Sequence, residues 1–236
     1  MYIDSHCHLE SYKNLDEIIQ KSKSSLEAII SCGHSIESSK QNTEIAKKYE
    51  GFVYPVVGIG PQAAMKMPAK NWKIEIPDSA VAVGEIGLDY VAAQTTEEIL
   101  LQKECFSYYI DVAIQFNLPL VIHSRNAYDD VIEILKENQT KKVMWHCFTG
   151  TFKHAECINS QGHYISFPPI PSRTRVKIVQ RLDIKLTVET DAPFIGMTPL
   201  DIEKSVELIA KAKNEKKEDI ARITTENAKN LFSLDL

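Results

Sequence analysis

The chain has 236 residues, 44% hydrophobic and 25% charged, with nine Gly and ten Pro, a composition that excludes a disordered or fibrous protein. Its formal charge of −5 excludes holding nucleic acid through a broad basic surface, which needs clustered Lys and Arg, so phosphate binding must be local, as at a pair of bound cations. No apolar run is long enough for a bilayer, no basic start precedes an apolar segment, and Cys7, Cys32, Cys105, Cys147 and Cys157 show no C-x-x-C spacing, so a cytoplasmic protein with reduced thiols and no membrane partner is expected.

Short β-branched runs alternate with segments of helical periodicity, the pattern of parallel strands joined by crossover helices. Strands are expected at 2–4, 28–31, 52–57, 81–85, 118–122, 143–145, 164–167 and 186–189. After the first strand, Leu15, Ile18 and Ile19 mark an amphipathic helix. After the third, Pro61, Pro68 and Pro77 exclude a long helix around Trp72, leaving an irregular loop with one short helix. Phe106, Tyr109, Ile110 and Ala113 then recur at i, i+3, i+4 and i+7, and Tyr128, Val131, Ile132 and Leu135 repeat the stripe. Past Pro193 and Pro199, Val206, Ile209 and Ala210 give another helix, and 217–232 is expected to form two short helices divided near Thr224 and Thr225. Eight such units predict a (β/α)8 TIM barrel over residues 1–236 as a single domain, irregular after strand three and at the C-terminus. An open doubly wound sheet would give the same alternation.

Polar residues close several of these runs, and in a barrel all strand ends meet at one mouth. Strand one leads into His6-Cys7-His8; side chains two apart on an extended backbone share a face, so both imidazoles can chelate one ion. Alone, the pair is equally compatible with two structural histidines. Strand four ends in Glu85, which could bridge two metals or begin an exposed loop; the apolar, glycine-containing Ile86-Gly87-Leu88-Asp89 that follows favours the bridge. Strands five and six end in His123 and His146. One such ending is more often a satisfied core histidine, but two together point to a site.

Strand eight ends Val188-Glu189-Thr190-Asp191, with Asp191 nearer the mouth and therefore the expected general base. Imidazoles and carboxylates without a thiolate suit two divalent ions, Mg2+, Mn2+ or Zn2+, which at roughly 3.5–4 Å apart could share Glu85. Arg125, just past His123, is either a phosphate clamp or a solvated loop arginine. His34, His154 and His163 sit in or beside turns and helix starts and are given no role.

Five blocks, Asp4-Ser5-His6-Cys7-His8-Leu9, Gly84-Glu85-Ile86-Gly87-Leu88-Asp89-Tyr90, Leu118-Pro119-Leu120-Val121-Ile122-His123-Ser124-Arg125, His146-Cys147-Phe148-Thr149-Gly150 and Glu189-Thr190-Asp191-Ala192-Pro193, together resemble the TatD-type deoxyribonucleases. The closing Thr225-Glu226-Asn227-Ala228-Lys229-Asn230-Leu231-Phe232 resembles that family's C-terminal segment. The resemblance implies a TIM barrel and metal-dependent hydrolysis of DNA phosphodiesters, often as a 3′-to-5′ exonuclease on single-stranded ends. It further implies that His6, His8, Glu85, His123, His146 and Asp191 are the metal ligands.

The chain departs from the family after strand three, where many relatives carry histidine in a Gly-x-His-Pro turn and this one reads Gly58-Ile59-Gly60-Pro61-Gln62. The stretch Ser166-Phe167-Pro168-Pro169-Ile170-Pro171 and the residues after Asp191 also lack the family's polar, glycine-rich character. A DNase is therefore the first reading. The second is a small-molecule amide, lactone or phosphoester hydrolase using the same metals. A non-catalytic metal-binding barrel ranks third, because all six inferred ligands are present.

Overall fold

A computed structural model describes residues 1–236 and contains all eight expected strands. They are β1 (Tyr2–Cys7), β2 (Leu26–Cys32), β3 (Val53–Val57), β4 (Ala82–Asp89), β5 (Leu120–Arg125), β6 (Val143–Trp145), β7 (Tyr164–Phe167) and β8 (Lys185–Val188). Each pairs in parallel with the next, in the order β1 to β8. Parallel neighbours need crossovers, supplied by α1 (Leu15–Ser22), α2 (Ile36–Lys48), α3 (Pro61–Ala64), α4 (Thr96–Phe116), α5 (Tyr128–Glu137), α6 (Phe152–Ser160) and α7 (Arg173–Arg181). Two further helices, α8 (Ile202–Lys213) and α9 (Lys217–Phe232), follow β8. The β3–β4 connection is irregular as expected, with the four-residue α3 and one 3-10 turn at Ala69–Asn71.

The sheet curls until β8 returns to β1, which makes a barrel and not an open sheet. Hydrogen bonds beyond the regular ladder close the seam. Ser5 Oγ donates to the Val188 carbonyl at 2.8 Å, and the Thr190 N–H donates to Asp4 Oδ1 at 2.9 Å. Further up, the Asp191 N–H reaches the His6 carbonyl at 2.9 Å and the His8 N–H reaches the Ala192 carbonyl at 2.8 Å. The seam therefore sets Asp191 beside His6 and His8.

Three strands run three or four residues past their expected ends, β1 to Cys7, β4 to Asp89 and β5 to Arg125, and β2 runs one past, to Cys32. The apolar run stops earlier because the barrel interior turns polar at its mouth, while backbone pairing continues. The tail also differs from expectation, since α9 is one unbroken helix. Thr224 and Thr225 do not divide it: both are buried, and Thr224 Oγ1 donates to the Ile220 carbonyl at 2.9 Å within the same helix.

The inward-facing Ile3, Ile30, Val56, Val121 and Met144 fill the lower barrel and pack against Leu231 and Phe232 of α9. The larger apolar layer lies between the strands and the surrounding helices, including Phe106, Tyr109, Val131 and Trp145. With the floor filled by these side chains, the polar residues of the barrel gather at the C-terminal ends of its strands. The five cysteines are free, with Cys7, Cys32 and Cys105 buried, and no helix is long and apolar enough to cross a membrane.

Candidate metal centre

Glu85 is aimed at the barrel axis by an irregularity in its strand. The β4–β5 register shifts between Val83 and Ile86, and the Glu85 N–H donates to the Gly33 carbonyl at 2.6 Å instead of joining the ladder. Such a bulge re-aims a side chain. It requires close backbone approach on both sides: a Cβ on Gly84 would lie 2.7 Å from the Val121 carbonyl oxygen, and Gly87, at φ +135, would drive one into the His123 carbonyl.

The two carboxylate oxygens of Glu85 face two separate donor sets. Oε2 lies 3.6 Å from His6 Nε2 and 3.8 Å from His8 Nε2. Those two nitrogens are 3.2 Å apart, and Asp191 Oδ1 completes the group at 3.7 Å from His6 and 3.3 Å from His8. On the other side Oε1 lies 2.7 Å from His123 Nδ1 and 3.0 Å from His146 Nε2, themselves 3.2 Å apart. All six side chains named from the sequence thus meet in one place. Asp191 occupies it in the left-handed region, at φ +48, a conformation tolerated by Asp and found at functional sites.

This donor set fits divalent ions. His8 Nδ1 is 2.9 Å from the Cys32 carbonyl, which only accepts, so Nδ1 carries a proton, and Nε2 is left facing Asp191 and Glu85, where a metal ion would take its lone pair and a proton holds it otherwise. Lone pairs in contact repel unless a cation or a proton lies between them. Donor atoms about 2.0–2.2 Å from one ion stand roughly 2.8–3.6 Å apart in octahedral or tetrahedral geometry, close to the spacings of both groups. His6, His8 and Asp191 would hold one ion, His123 and His146 the other, with Glu85 touching both.

The charge balance agrees. Burial works against a protonated His8, but Asp191 and Glu10 outweigh it and raise its pKa to about 10. His123 is raised to about 9 against the same burial by Asp89 and Glu85. Burial also opposes ionisation of Glu85, yet His146 and His123 bring it well below the usual carboxylate range. The pocket calls for positive charge, and protons meet that need when metal does not.

A second ring of polar groups orients the first. Asp89 Oδ2 lies 3.5 Å from His123 Nε2 and accepts from Gln62 Nε2 at 3.0 Å. Gln62, which marks the departure after strand three, thus holds the carboxylate behind His123 and also lines the cavity. Glu189, fully buried and pushed up to about 7 by burial, lies 3.8 Å from His146 Nδ1 and accepts from the Cys147 N–H. Ser31 Oγ donates to Asn42 Oδ1 at 2.5 Å and Asn42 Nδ2 to Glu10 Oε2 at 3.0 Å, which turns Glu10 toward His8 at 3.6 Å and His34 at 3.9 Å.

Glu10 and Asn42 carry no sequence signal because no apolar run points at them, whereas Asp89 closes the apolar run of β4 and Gln62 stands in the departure after strand three, and only the fold brings these two together behind His123. His34 was read as having no role, and here the structure differs: it stands just beyond β2, lines the cavity and stacks at a steep angle beside His8. Its position two residues past Cys32, at a strand end like the ligands, was the available signal. The bland reading suits the other two. His154 Nδ1 accepts from the Thr151 N–H in an N-terminal cap, and His163 is buried with Nε2 donating to the Thr140 carbonyl at 3.0 Å. Arg125 is exposed at the outer end of β5 and is not part of the cavity wall. That cavity, about 340 Å³, is bounded by His8, Glu85, His123, His146 and Asp191 together with His34, Pro61, Gln62, Ala63 and Phe194, while His6 is buried behind them.

The sequence matches the family described as TatD related DNase over residues 3–233. It is 34% identical to the Bacillus subtilis (strain 168) protein named uncharacterized metal-dependent hydrolase YabD, over 100% of both chains. It is 30% identical to the Homo sapiens protein named deoxyribonuclease TATDN3, covering 98% of this chain and 94% of that one. Among solved structures, YJJV, a TatD homolog from Escherichia coli K12, superposes with a TM-score of 0.83 at 22% identity over 99% and 98% of the two chains. A TatD-family hydrolase of Entamoeba histolytica does so with a TM-score of 0.86 at 19% identity over 98% and 97%; these two likenesses are of fold. The chain belongs to the TatD-related DNase family and is a metal-dependent hydrolase built on a barrel of eight parallel strands.

Proposed function

We propose that this protein hydrolyses DNA phosphodiester bonds with two divalent ions, Mg2+, Mn2+ or Zn2+, acting as a 3′-to-5′ exonuclease on single-stranded ends. The observation that carries the reading is Glu85, whose two oxygens each face a separate set of nitrogen donors. The human relative's name, deoxyribonuclease, supports DNA as the substrate. When bound, the ions neutralise charge on the phosphate and acidify water.

The chain's own residues do the rest. His6, His8, Glu85, His123, His146 and Asp191 fix the centre, and Glu10, Asp89 and Glu189 stand behind its imidazoles. Asp191 is the general base: its carboxylate takes a proton from the attacking water and passes it to the leaving 3′ oxygen. Arg125, two residues beyond His123, contacts a neighbouring phosphate. A cavity of about 340 Å³ is at the lower end for ligand pockets, which favours one terminal nucleotide.

A second reading, hydrolysis of a small amide, lactone or phosphoester, is favoured by the lack of any Lys or Arg in the cavity wall. The test is cleavage of a 5′-labelled single-stranded oligonucleotide by metal-stripped protein, with and without each ion, beside Asp191→Asn. A metal-dependent ladder that vanishes in the variant while most of the metal stays bound is expected. No cleavage with both ions demonstrably bound would transfer the assignment to a small substrate.

A further inference from the structure

Single exposed apolar side chains are ordinary on protein surfaces, so Phe194, 64% exposed, matters only for where it stands. Its ring is part of the wall of the metal cavity. Its centroid is 5.0 Å from that of His8 at an interplanar angle of 64°, and the His34 ring lies 5.3 Å from His8 at 77°. Two accessible rings, one following β8 and one following β2, therefore flank the same ligand at the rim.

Both rings stand on fixed backbone. The N–H groups of Phe194 and Ile195 donate to the Asp191 carbonyl at 2.8 and 2.9 Å, and the Gly196 N–H to the Thr190 carbonyl at 2.8 Å. The His34 N–H donates to Ser38 Oγ at 2.9 Å, and its carbonyl accepts from the Gly60 N–H at 2.9 Å. Platforms already ordered bind without a further ordering cost. No Lys or Arg lines the cavity, so inside it the base-bearing part of a substrate meets aromatic faces, while Arg125, exposed beyond the wall, is left to a phosphate outside. A nucleobase has a π-face whatever its identity, and stacking on aromatic side chains is how single strands are held without sequence preference. In a duplex those faces are already covered.

We propose that Phe194 and His34 form a nucleobase-stacking subsite that receives the unpaired base at the end of a DNA strand whose phosphate lies at Glu85. The proposal rests on the phosphodiesterase reading above. It supplies the recognition that an acidic protein of net charge −5 cannot draw from a basic surface.

The test compares metal-loaded wild type, Phe194→Ala, Phe194→Trp and His34→Ala on two oligonucleotides, one ending in an ordinary 3′ nucleotide and one ending in an abasic tetrahydrofuran residue. Wild type is expected to favour the base-bearing end by about tenfold in kcat/KM. That preference should collapse toward one in Phe194→Ala through a higher KM, fall less in His34→Ala, and return in Phe194→Trp. Equal use of both ends by wild type overturns the proposal, as does an equal loss on both ends in Phe194→Ala, which would mean the ring merely positions His8. If wild type cuts neither end, the phosphodiesterase reading fails on its own. Equilibrium binding of deoxyadenosine 5′-monophosphate against 2-deoxyribose 5-phosphate then decides the subsite: tighter binding of the nucleotide to wild type but not to Phe194→Ala is expected, and equal affinities reject it.

Discussion

At the floor of the barrel, Val121 of β5 and Met144 of β6 pack against Leu231 and Phe232 of α9. Two residues further along, on the same inward faces, His123 and the His146 that follows β6 converge on Glu85. The floor is closed by volume, with buried apolar side chains of the strands and of α9 in contact. The mouth is closed by electron pairs, and buried atoms such as His6 Nδ1, His146 Nδ1 and Glu189 Oε2 have no hydrogen-bond partner. One end of the barrel therefore supports the fold by packing, and the other gathers nitrogen and oxygen donors that face one another around an open cavity.

The largest expected effect tests the mouth. Glu85→Ala removes the carboxylate common to both donor groups and should lower activity by ~10^4-fold or more, as removal of a central catalytic group does, with loss of at least one ion by elemental analysis. Retention of both ions would show that Glu85 is not shared. At the floor, Leu231→Ala should cost about 2–5 kcal/mol by leaving a cavity while metal content per folded molecule stays unchanged. A loss of metal in that variant would mean that the two ends are coupled.

A finer test addresses the second ring of the mouth. Gln62→Ala leaves Asp89 without its side-chain donor and should lower metal affinity or turnover about tenfold, without the melting change that a floor substitution brings. An effect as large as that of Glu85→Ala would move Gln62 into direct contact with substrate.

The smallest effect is in pH. His8 and His123 have folded-state pKa values raised to about 10 and about 9, above an unfolded value of about 6.5. Without metal, the stability they contribute is complete below the unfolded value and is lost as pH rises through 9 to 10. Chelator-treated protein should therefore melt a few degrees lower at pH 10 than at pH 7. Metal must displace those protons, so affinity should rise over the same range, and calorimetric titration in buffers of different ionisation enthalpy should reveal proton release. A pH-independent affinity would contradict the donor assignment.

The alternation of apolar runs carried the strand count and parallel order, because a strand buried on both faces advertises itself as a continuous apolar run. The side chains that meet around Glu85 were legible for the same reason: His123 and His146 each terminate such a run, and His6 and His8 share a period-two face. Legibility failed where the signal depended on an absent contrast. At the ends of β1, β4 and β5 the side chains turn polar while backbone pairing continues, so the apolar run is shorter than the strand. The tail was divided at Thr224 and Thr225, although burial and a bond to Ile220 keep α9 whole.

By itself, then, the sequence determined which strands exist and which side chains at their ends could donate to a metal, since both follow from local periodicity and residue chemistry. Only the tertiary structure decided that the sheet closes, through the bonds joining β1 to the residues after β8, and that Glu85 turns one oxygen to each donor group. It alone brought Gln62, His34 and Phe194 to the cavity wall and Glu10 behind His8. These belong to loops and short helices whose own spacing carries no periodic signal, and their meeting is fixed by the curvature of the barrel and not by any interval along the chain.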